Sequence, residues 1–155
     1  MPIIKVETRI AAPCERCFDL AREVEAHEAS VARTGERAVA GVTTGLLGLG
    51  DTVTWEATHF GVKQRLTARL TAFERPRRFV DVLVRGAFHS FTHTHEFIET
   101  SKGTLMVDTF DYTSPLGPLG RLADALFLER YMRRLLVDRG LVLRRMAEAS
   151  GQSRR

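Results

Sequence analysis

The sequence predicts an α+β domain in which antiparallel strands pack against one long C-terminal helix. Apolar residues recur every three or four positions over 128–146, which is typical of an amphipathic helix with one buried face. Between residues 52 and 113, segments of alternating apolar and polar residues follow one another with short turns, as in an antiparallel sheet. A strand and a short helical stretch precede them, so the order is strand, helices, strands and helix.

One domain accounts for the 155 residues, because a chain of this length buries a substantial core. We expect the domain to span 1–150 and residues 151–155 to form a disordered tail. An apolar content of 44% with charges of both signs is typical of a globular chain. No run of eighteen apolar residues occurs, so no membrane span is predicted.

The net charge of +4 comes mainly from arginines spread over predicted outer faces. No basic cluster with interleaved aromatic residues accompanies them, so nucleic-acid binding is not expected. We expect a cytoplasmic monomer or homodimer whose partner is a small hydrophobic or amphipathic ligand.

Cys14 and Cys17 form a CxxC motif. Such a pair can be redox-active where a helix N-terminus lowers a thiol pKa, and Pro13 suits the first position of a helix. No βαβ pattern follows, however, and a lone pair supplies only half of a structural zinc site. We interpret the cysteines as small residues on the first turn of a structural helix in a reducing compartment, and we expect no cofactor.

The N-terminal part of the chain alternates at 3–10, which predicts a half-buried strand. A helical stretch from Pro13 to about His27 should be broken into two pieces, and a second strand is predicted over 34–42. The glycine-rich segment 43–50 lacks the Gly-Lys-Ser/Thr ending of a phosphate-binding loop, so we expect a mobile apolar flap that gates a cavity. Its tip would consist of Leu46, Leu47 and Leu49.

Five further alternating segments predict the rest of the sheet, with glycine or proline at several of the turns. Their predicted bounds are 52–60, 62–73, 79–85, 88–98 and 104–113. The segment 79–85 is ambiguous, because either Phe79 and Asp81 or its three valines could face the interior. We favour the alternation in which Asp81 points inward.

The C-terminal stripe contains one charged residue, Arg139, between Leu135 and Val142. A guanidinium is rarely buried without a partner, so we expect it to meet a carboxylate across the interior. Asp81 and Asp108 are the two candidates.

The preceding segment, 119–127, is also predicted to be helical. Its leucines lie nearly opposite to the later stripe, so a single straight helix cannot bury both sets. We therefore predict a break or sharp bend near Phe127–Glu129.

Strand alternation and the helix stripe select nine side chains for the interior, and most of them are polar. Buried polar groups must be paired, hydrated or in contact with a ligand. One interpretation is a hydrogen-bonded core network; the other is a mostly apolar ligand pocket with a few convergent polar groups. In the second, Arg139 would clamp an anionic group and an aspartate would tune a neighbouring histidine as acid or base. The candidate ligand-binding residues are Trp55, His59, Gln64, Asp81, Phe91, His93, His95, Asp108 and Arg139.

A metal-dependent enzyme is the alternative function. His93 and His95 share one face of a predicted strand, and Glu99 keeps the same parity if the strand extends that far. Two histidines and one carboxylate are the ligand set of many non-haem iron enzymes. A metal site at His93, His95 and Glu99 therefore stays open beside the metal-free ligand pocket that we favour.

Several motifs together resemble the START-like (SRPBCC) helix-grip superfamily, and its polyketide cyclase/dehydratase-type ligand-binding branch in particular. They are the glycine-rich segment before GDTVTWEATHFG, the F-x-D of 79–81, the G-x-F of 86–88, HTHEF, the D-x-F-x-Y of 108–112 and PLGPLG. The resemblance covers essentially the whole chain and implies a curved sheet that grips the C-terminal helix around a ligand cavity. It implies binding of lipids, polyketides or other apolar molecules, or their transformation by a lyase or isomerase without a redox cofactor. Some helix-grip domains act instead through protein partners, so a non-catalytic interaction module is a further alternative.

Overall fold

A seven-stranded antiparallel sheet is the largest element of the computed structural model, which describes residues 2–152. The strands are β1 Ile3–Ile10, β2 Arg37–Gly41, β3 Thr52–His59, β4 Val62–Glu74, β5 Arg78–Arg85, β6 Ser90–Thr100 and β7 Gly103–Thr113. Their spatial order is β1-β7-β6-β5-β4-β3-β2, so β1 joins the sheet beside the last strand. The helices are α1 Cys14–Ala21, α2 Val24–Ser30, a 3₁₀-helix at Ala32–Thr34, α3 Pro118–Ala123, a π-helical turn at Asp124–Leu128 and α4 Glu129–Gln152. This is the predicted α+β helix-grip fold.

The predicted boundaries hold closely for most strands. The second strand begins at Arg37 instead of 34, because residues 32–34 form a 3₁₀-helix that ends at the left-handed Gly35. Of the predicted tail at 151–155, residues 151 and 152 form the end of α4, and 153–155 lie outside the described residues.

The long helix α4 packs against β1, α1 and α2 along the predicted stripe. Leu136, Leu143 and Ala147 are buried on this face, and Arg139 lies among them with 4% of its surface exposed. Gly140 permits the close approach to β1, because a Cβ atom there would lie only 2.5 Å from Thr8 Oγ1. The apolar stripe therefore holds the helix on the sheet, as the sequence predicted.

The predicted break in the first helical stretch is confirmed. Between α1 and α2, Glu23 is extended, with φ −82° and ψ 128°. Phe18 of α1 is fully buried, and its ring contacts Phe73, Phe79 and Phe97 edge-on at centroid distances of 5.2–5.4 Å. These aromatic contacts fix α1 over one end of the sheet.

Cys14 and Cys17 are free thiols, and Cys17 belongs to the apolar core with 2% of its surface exposed. Burial raises the pKa of the Cys17 thiol, which keeps it protonated and unreactive. The interpretation of the motif as structural fits this environment.

The prediction of a break in the helix near Phe127–Glu129 is wrong. The chain stays helical through this region, and the π-helical turn Asp124–Leu128 changes the phase of the helix face instead. A π-turn holds an extra residue, so the two apolar faces point in different directions without a break. The leucines of the earlier face are exposed, at 68% for Leu119, 56% for Leu122 and 62% for Leu126.

Three smaller expectations also differ from the structure. The alternation over 62–73 predicts an inward side chain for Val62, which is instead exposed beside the β3–β4 turn. The alternation over 52–60 predicts a solvated side chain for Glu56, which is only 7% exposed because Arg37, Lys63 and Arg65 cover its carboxylate. In the segment 43–50, Leu47 is buried in the core, whereas Leu46 and Leu49 are exposed.

Candidate ligand-binding cavity

A cavity of about 320 Å³ lies between the inner face of the sheet and the helices α1, α2 and α4. This volume falls at the lower end of the range for small-molecule sites. Most of its lining is apolar, from strands β3 and β4 on one side and α4 on the other. The apolar lining includes Val53, Trp55, Leu66, Ala68, Leu70, Phe91, Met132, Leu135 and Leu136.

The opening of the cavity is marked by its exposed lining residues. Phe60, Ala87 and Pro115 all line the cavity and are exposed to solvent. Leu47 also lines it but is buried, so the glycine-rich segment lies over a closed part of the wall in this conformation. The mouth therefore lies among the β3–β4 turn, the β5–β6 turn and the segment that precedes α3.

Five polar side chains meet on the inner face of β5, β6, β7 and α4. We call Asp81, His93, His95, Asp108 and Arg139 the charge cluster. The sheet register brings the first four together, because Asp81 pairs with His93 across β5 and β6, and His95 pairs with Asp108 across β6 and β7. Alternation then points all four to the same face.

Asp108 is the centre of the charge cluster and is 1% exposed. Its Oδ1 atom lies 3.2 Å from His93 Nε2, 2.8 Å from His95 Nδ1 and 3.4 Å from Arg139 Nη1. The approach of His95 Nδ1 is out of hydrogen-bond alignment, so that contact is an ion pair, not a hydrogen bond. The three neighbours outweigh the effect of burial and hold the pKa of Asp108 well below its ordinary value, so it is ionised.

His95 lies between two carboxylates. Its Nε2 atom is 2.8 Å from Asp81 Oδ1, on the opposite side of the ring from Asp108. Burial disfavours the charged imidazole, but the two carboxylates outweigh it and raise the pKa of His95. The same contact lowers the pKa of Asp81 despite burial. The two aspartates on either side of the ring therefore favour the imidazolium form of His95.

His93 differs from its neighbour in charge. Burial and the positive charge of His95 lower its pKa, although Asp108 and Asp81 act in the opposite direction. Its ring lies 3.8 Å from that of His95, and it meets Phe110 edge-on at 5.3 Å. A neutral imidazole with an ionised aspartate beside it can accept or donate a proton within the cavity.

Arg139 completes the cluster from α4. Its Nη2 atom donates a hydrogen bond to the Ala21 carbonyl at 3.1 Å, and its Nη1 atom faces Asp108. Its Nε–H group is buried and has no hydrogen-bond partner among the described residues. Arg139 also lines the cavity.

A second polar group lines the cavity, and only one of its members, His59, was predicted from the sequence. His27 Nε2 is 2.7 Å from Glu36 Oε1, and His59 Nδ1 is 2.6 Å from the Tyr131 hydroxyl. All four side chains line the cavity. Burial lowers the pKa of His59, which favours its neutral form. Tyr131 follows Leu128 by three residues on the helix, so the spacing of the stripe could have indicated it; nothing comparable marks His27 or Glu36.

The structure brings the predicted residues together, with two differences. Of the nine candidate ligand-binding residues, all but Asp108 line the cavity, and Asp108 lies behind the two histidines. Glu99 does not join His93 and His95, because it is exposed and lines a separate surface depression with Lys102. Besides Asp108, the carboxylate of Asp81 lies near both histidines, and one potential ligand atom from each of Asp81, His93 and His95 lies within 4.8 Å of the other two.

The sequence profile of the family described as polyketide cyclase / dehydrase and lipid transport matches residues 1–149. The chain belongs to this family. Solved structures of other proteins share the fold. Protein TTHA0849 from Thermus thermophilus is 23% identical, with a TM-score of 0.78 and coverage of 96% of this chain and 99% of the other. Protein Ms6760 from Mycobacterium smegmatis is 18% identical, with a TM-score of 0.70 over 96% and 92% of the two chains.

The protein named Ara h 8.0201 shares the fold at 12% identity, with a TM-score of 0.60 and coverage of 92% of this chain and 97% of the other. At these identities, the likeness concerns the fold. No curated protein matches the chain significantly in sequence. Within residues 2–152, no helix is long and apolar enough to cross a membrane.

Proposed function

We propose that the protein binds a small amphipathic molecule, such as a lipid or a polyketide-like compound, in the cavity of the helix-grip fold. The observation that carries this proposal is a mostly apolar cavity lined in part by Arg139, whose buried Nε–H group has no hydrogen-bond partner among the described residues. An apolar ligand body would contact Trp55, Leu66 and Leu70, and a polar atom would accept the free hydrogen bond. The family description, which names lipid transport, supports binding of this class of molecule.

The balance of charge in the cluster indicates the polar group of the ligand. Asp81 and Asp108 are ionised, and His95 and Arg139 offset them, so the cluster with neutral His93 carries no net charge. A carboxylate would add an uncompensated negative charge to a water-poor cavity, which is unfavourable. A hydroxyl or carbonyl oxygen would satisfy the donor without that cost. We therefore infer a neutral oxygen acceptor, where the sequence alone suggested an anionic group.

Trp55 provides the test, because it is the chain's single tryptophan and lines the cavity. Matched pairs of probes, 1-dodecanol with dodecanoate and 2-naphthol with 2-naphthoate, should be titrated while Trp55 emission is followed. We expect the neutral member of each pair to bind more tightly, with one ligand per protein in native mass spectrometry. If no probe changes the emission or adds mass, the proposed function is wrong.

A metal-dependent reaction is the second candidate, with Asp81 in place of the predicted Glu99. It is favoured by the convergence of Asp81, His93 and His95. Metal binding requires the imidazolium of His95 to lose a proton, so affinity should rise with pH. Titration of the protein with Fe²⁺ or Zn²⁺ after chelator treatment decides the point. One ion per chain that is lost in His95→Gln would support a metal site, whereas no stoichiometric ion would remove this candidate.

A further inference from the structure

An exposed apolar surface surrounds one side of the cavity mouth. It comprises six side chains of the β3–β4 turn and the α3 region that are between 47% and 76% exposed, and we call it the apolar rim. Its members are Phe60, Leu116, Leu119, Leu122, Leu126 and Phe127. A contiguous exposed surface of this kind on a protein marks a site of interaction.

The outward orientation of the apolar rim is built into α3 and the π-turn. Asp124 is 8% exposed and accepts hydrogen bonds from the hydroxyl groups of Tyr112, at 3.0 Å, and Ser114. The acidic residue thus anchors the buried side of this helical segment, and the leucines are left on the solvent side. The usual arrangement of a surface helix, with its apolar face inward, is reversed here.

The apolar rim is continuous with the cavity. Phe60 contacts Phe127 at a centroid distance of 5.5 Å and Tyr131 at 4.6 Å. Phe60, Tyr131 and Leu128 all line the cavity. A molecule that leaves the cavity at its mouth therefore meets the apolar rim before it meets bulk water.

Basic residues flank the rim. The segment 116–134 holds four arginines against two acidic residues, one of which, Asp124, is buried. Arg121, Arg130 and Arg134 are exposed and form no ion pair with any described residue. A surface of large apolar side chains with arginines beside them is complementary to an anionic lipid interface. The rim offers no exposed acidic side chain to specify a basic protein partner.

We propose that the apolar rim docks on the surface of an anionic lipid bilayer, with its leucine and phenylalanine side chains in the interfacial region and the arginines near the headgroups. The cavity mouth would then face the bilayer, so that an amphipathic ligand exchanges between the two without crossing water. The exchange rests on the proposed ligand-binding function, whereas the docking rests on the rim alone.

Sedimentation of the full chain with vesicles tests the docking. We expect binding to phosphatidylcholine vesicles that contain phosphatidylserine, and weaker binding to phosphatidylcholine alone or at high salt. Leu126→Glu should lower the partition coefficient by roughly tenfold or more, because it removes an inserted side chain and adds a like charge to that of the lipid. Ile98→Glu is the matched control, since Ile98 is 48% exposed on β6, away from the rim, and should leave binding unchanged.

A second pair of variants tests whether the arginines beside the apolar rim contribute to vesicle binding. Arg130→Gln should reduce binding to the anionic vesicles, and Arg145→Gln, on an exposed part of α4 farther along the helix, should not. Thermal unfolding followed by circular dichroism checks that each variant is folded. Equal binding by Leu126→Glu and the wild type would overturn the proposal. So would a wild-type dimer in gel filtration that Leu126→Glu converts to a monomer, because the rim would then be an interface between two copies.

Trp55 emission separates the two proposals. A Leu126→Glu variant that binds 2-naphthol like the wild type, but not the vesicles, supports both the cavity and the docking surface. Vesicle binding by a wild type whose Trp55 responds to no probe supports the docking and contradicts ligand binding. A wild type that binds 2-naphthol but neither vesicle composition contradicts the docking alone.

Discussion

Arg139 should contribute strongly to the stability of the fold, because it is the cation that α4 places beside the buried carboxylate of Asp108. If it is replaced by leucine, the apolar stripe is completed but Asp108 loses a buried ion-pair partner. We expect Arg139→Leu to reduce the free energy of unfolding by about 3–5 kcal/mol in urea titrations. Arg144→Leu, at an exposed ion pair on the same helix, should change it by less than about 1 kcal/mol. Equal stabilities for the two variants would show that Arg139 is dispensable to the interior.

The charge of His95 should appear in the pH dependence of stability. Its raised pKa means that the folded state keeps a proton that the unfolded chain releases near pH 6.5. The stabilisation is complete below that pH and is lost as the pH rises through the folded-state pKa. His93, whose pKa is lowered, contributes in the opposite sense around and below pH 6.5, and the comparison with His95→Gln reduces its influence on the result. As the pH rises above 6.5, the free energy of unfolding should fall in the wild type more than in His95→Gln. Parallel curves would contradict the imidazolium.

At the scale of the elements, Gly140 sets the distance between α4 and β1. Alanine favours a helix by about 1 kcal/mol over glycine, but its Cβ atom would lie 2.5 Å from Thr8 Oγ1. We expect the clash to dominate and Gly140→Ala to destabilise the protein by about 1–2 kcal/mol. In a Thr8→Ala background the clash is gone, so the same change should be neutral or stabilising. A double-mutant cycle by urea unfolding measures this coupling. Additive effects would contradict the close contact.

Hydrogen exchange tests which segment opens for a ligand. In the segment 43–50, the Gly45 amide donates to the Glu25 carboxylate, and the Leu47 amide donates to the Arg22 carbonyl. The exposed mouth residues lie elsewhere, around Phe60. Binding of 2-naphthol should therefore slow exchange in 60–62 and 127–131 more than in 43–50. Stronger protection of 43–50 would support the flap predicted from the sequence instead.

Strand alternation and helix periodicity predicted which face of its strand or helix a residue occupies. They did not predict how close the residue lies to the end of the element or how deeply it is buried. Asp108 and His93 share a predicted inward face, yet only the assembled sheet shows that Asp108 lies behind the histidine. Glu99 has the parity of His93 and is exposed, because it lies near the end of β6. The pairing of His27 with Glu36 depends on tertiary contacts that no local pattern records. In the sequence, the π-turn is visible only as a change in the phase of the apolar residues along the helix. A break in the helix would produce the same change, so the pattern could not distinguish the two.

For the molecule as a whole, the fold encloses a neutral cluster of charges inside an apolar cavity. One set of apolar contacts surrounds Phe79, on which His95 stacks at 4.2 Å, and another surrounds Phe110, which meets His93. The charge cluster lies between these two parts of the core. Its cost in desolvation is offset by its internal pairing and by the hydrogen bond from Arg139 to the Ala21 carbonyl, so we expect the cluster to stay paired and rigid with or without a ligand.

The central claim is that a ligand's polar atom meets the charge cluster while its apolar body fills the cavity. The Nε–H resonance of Arg139 is the most direct probe, because this buried donor has no partner among the described residues. In a ¹H–¹⁵N titration with 2-naphthol, we expect this resonance to shift together with Trp55 Nε1–H at one equivalent of ligand. A shift of Trp55 with an unchanged Arg139 resonance would contradict the claim, because the ligand would then occupy the cavity without contacting the cluster.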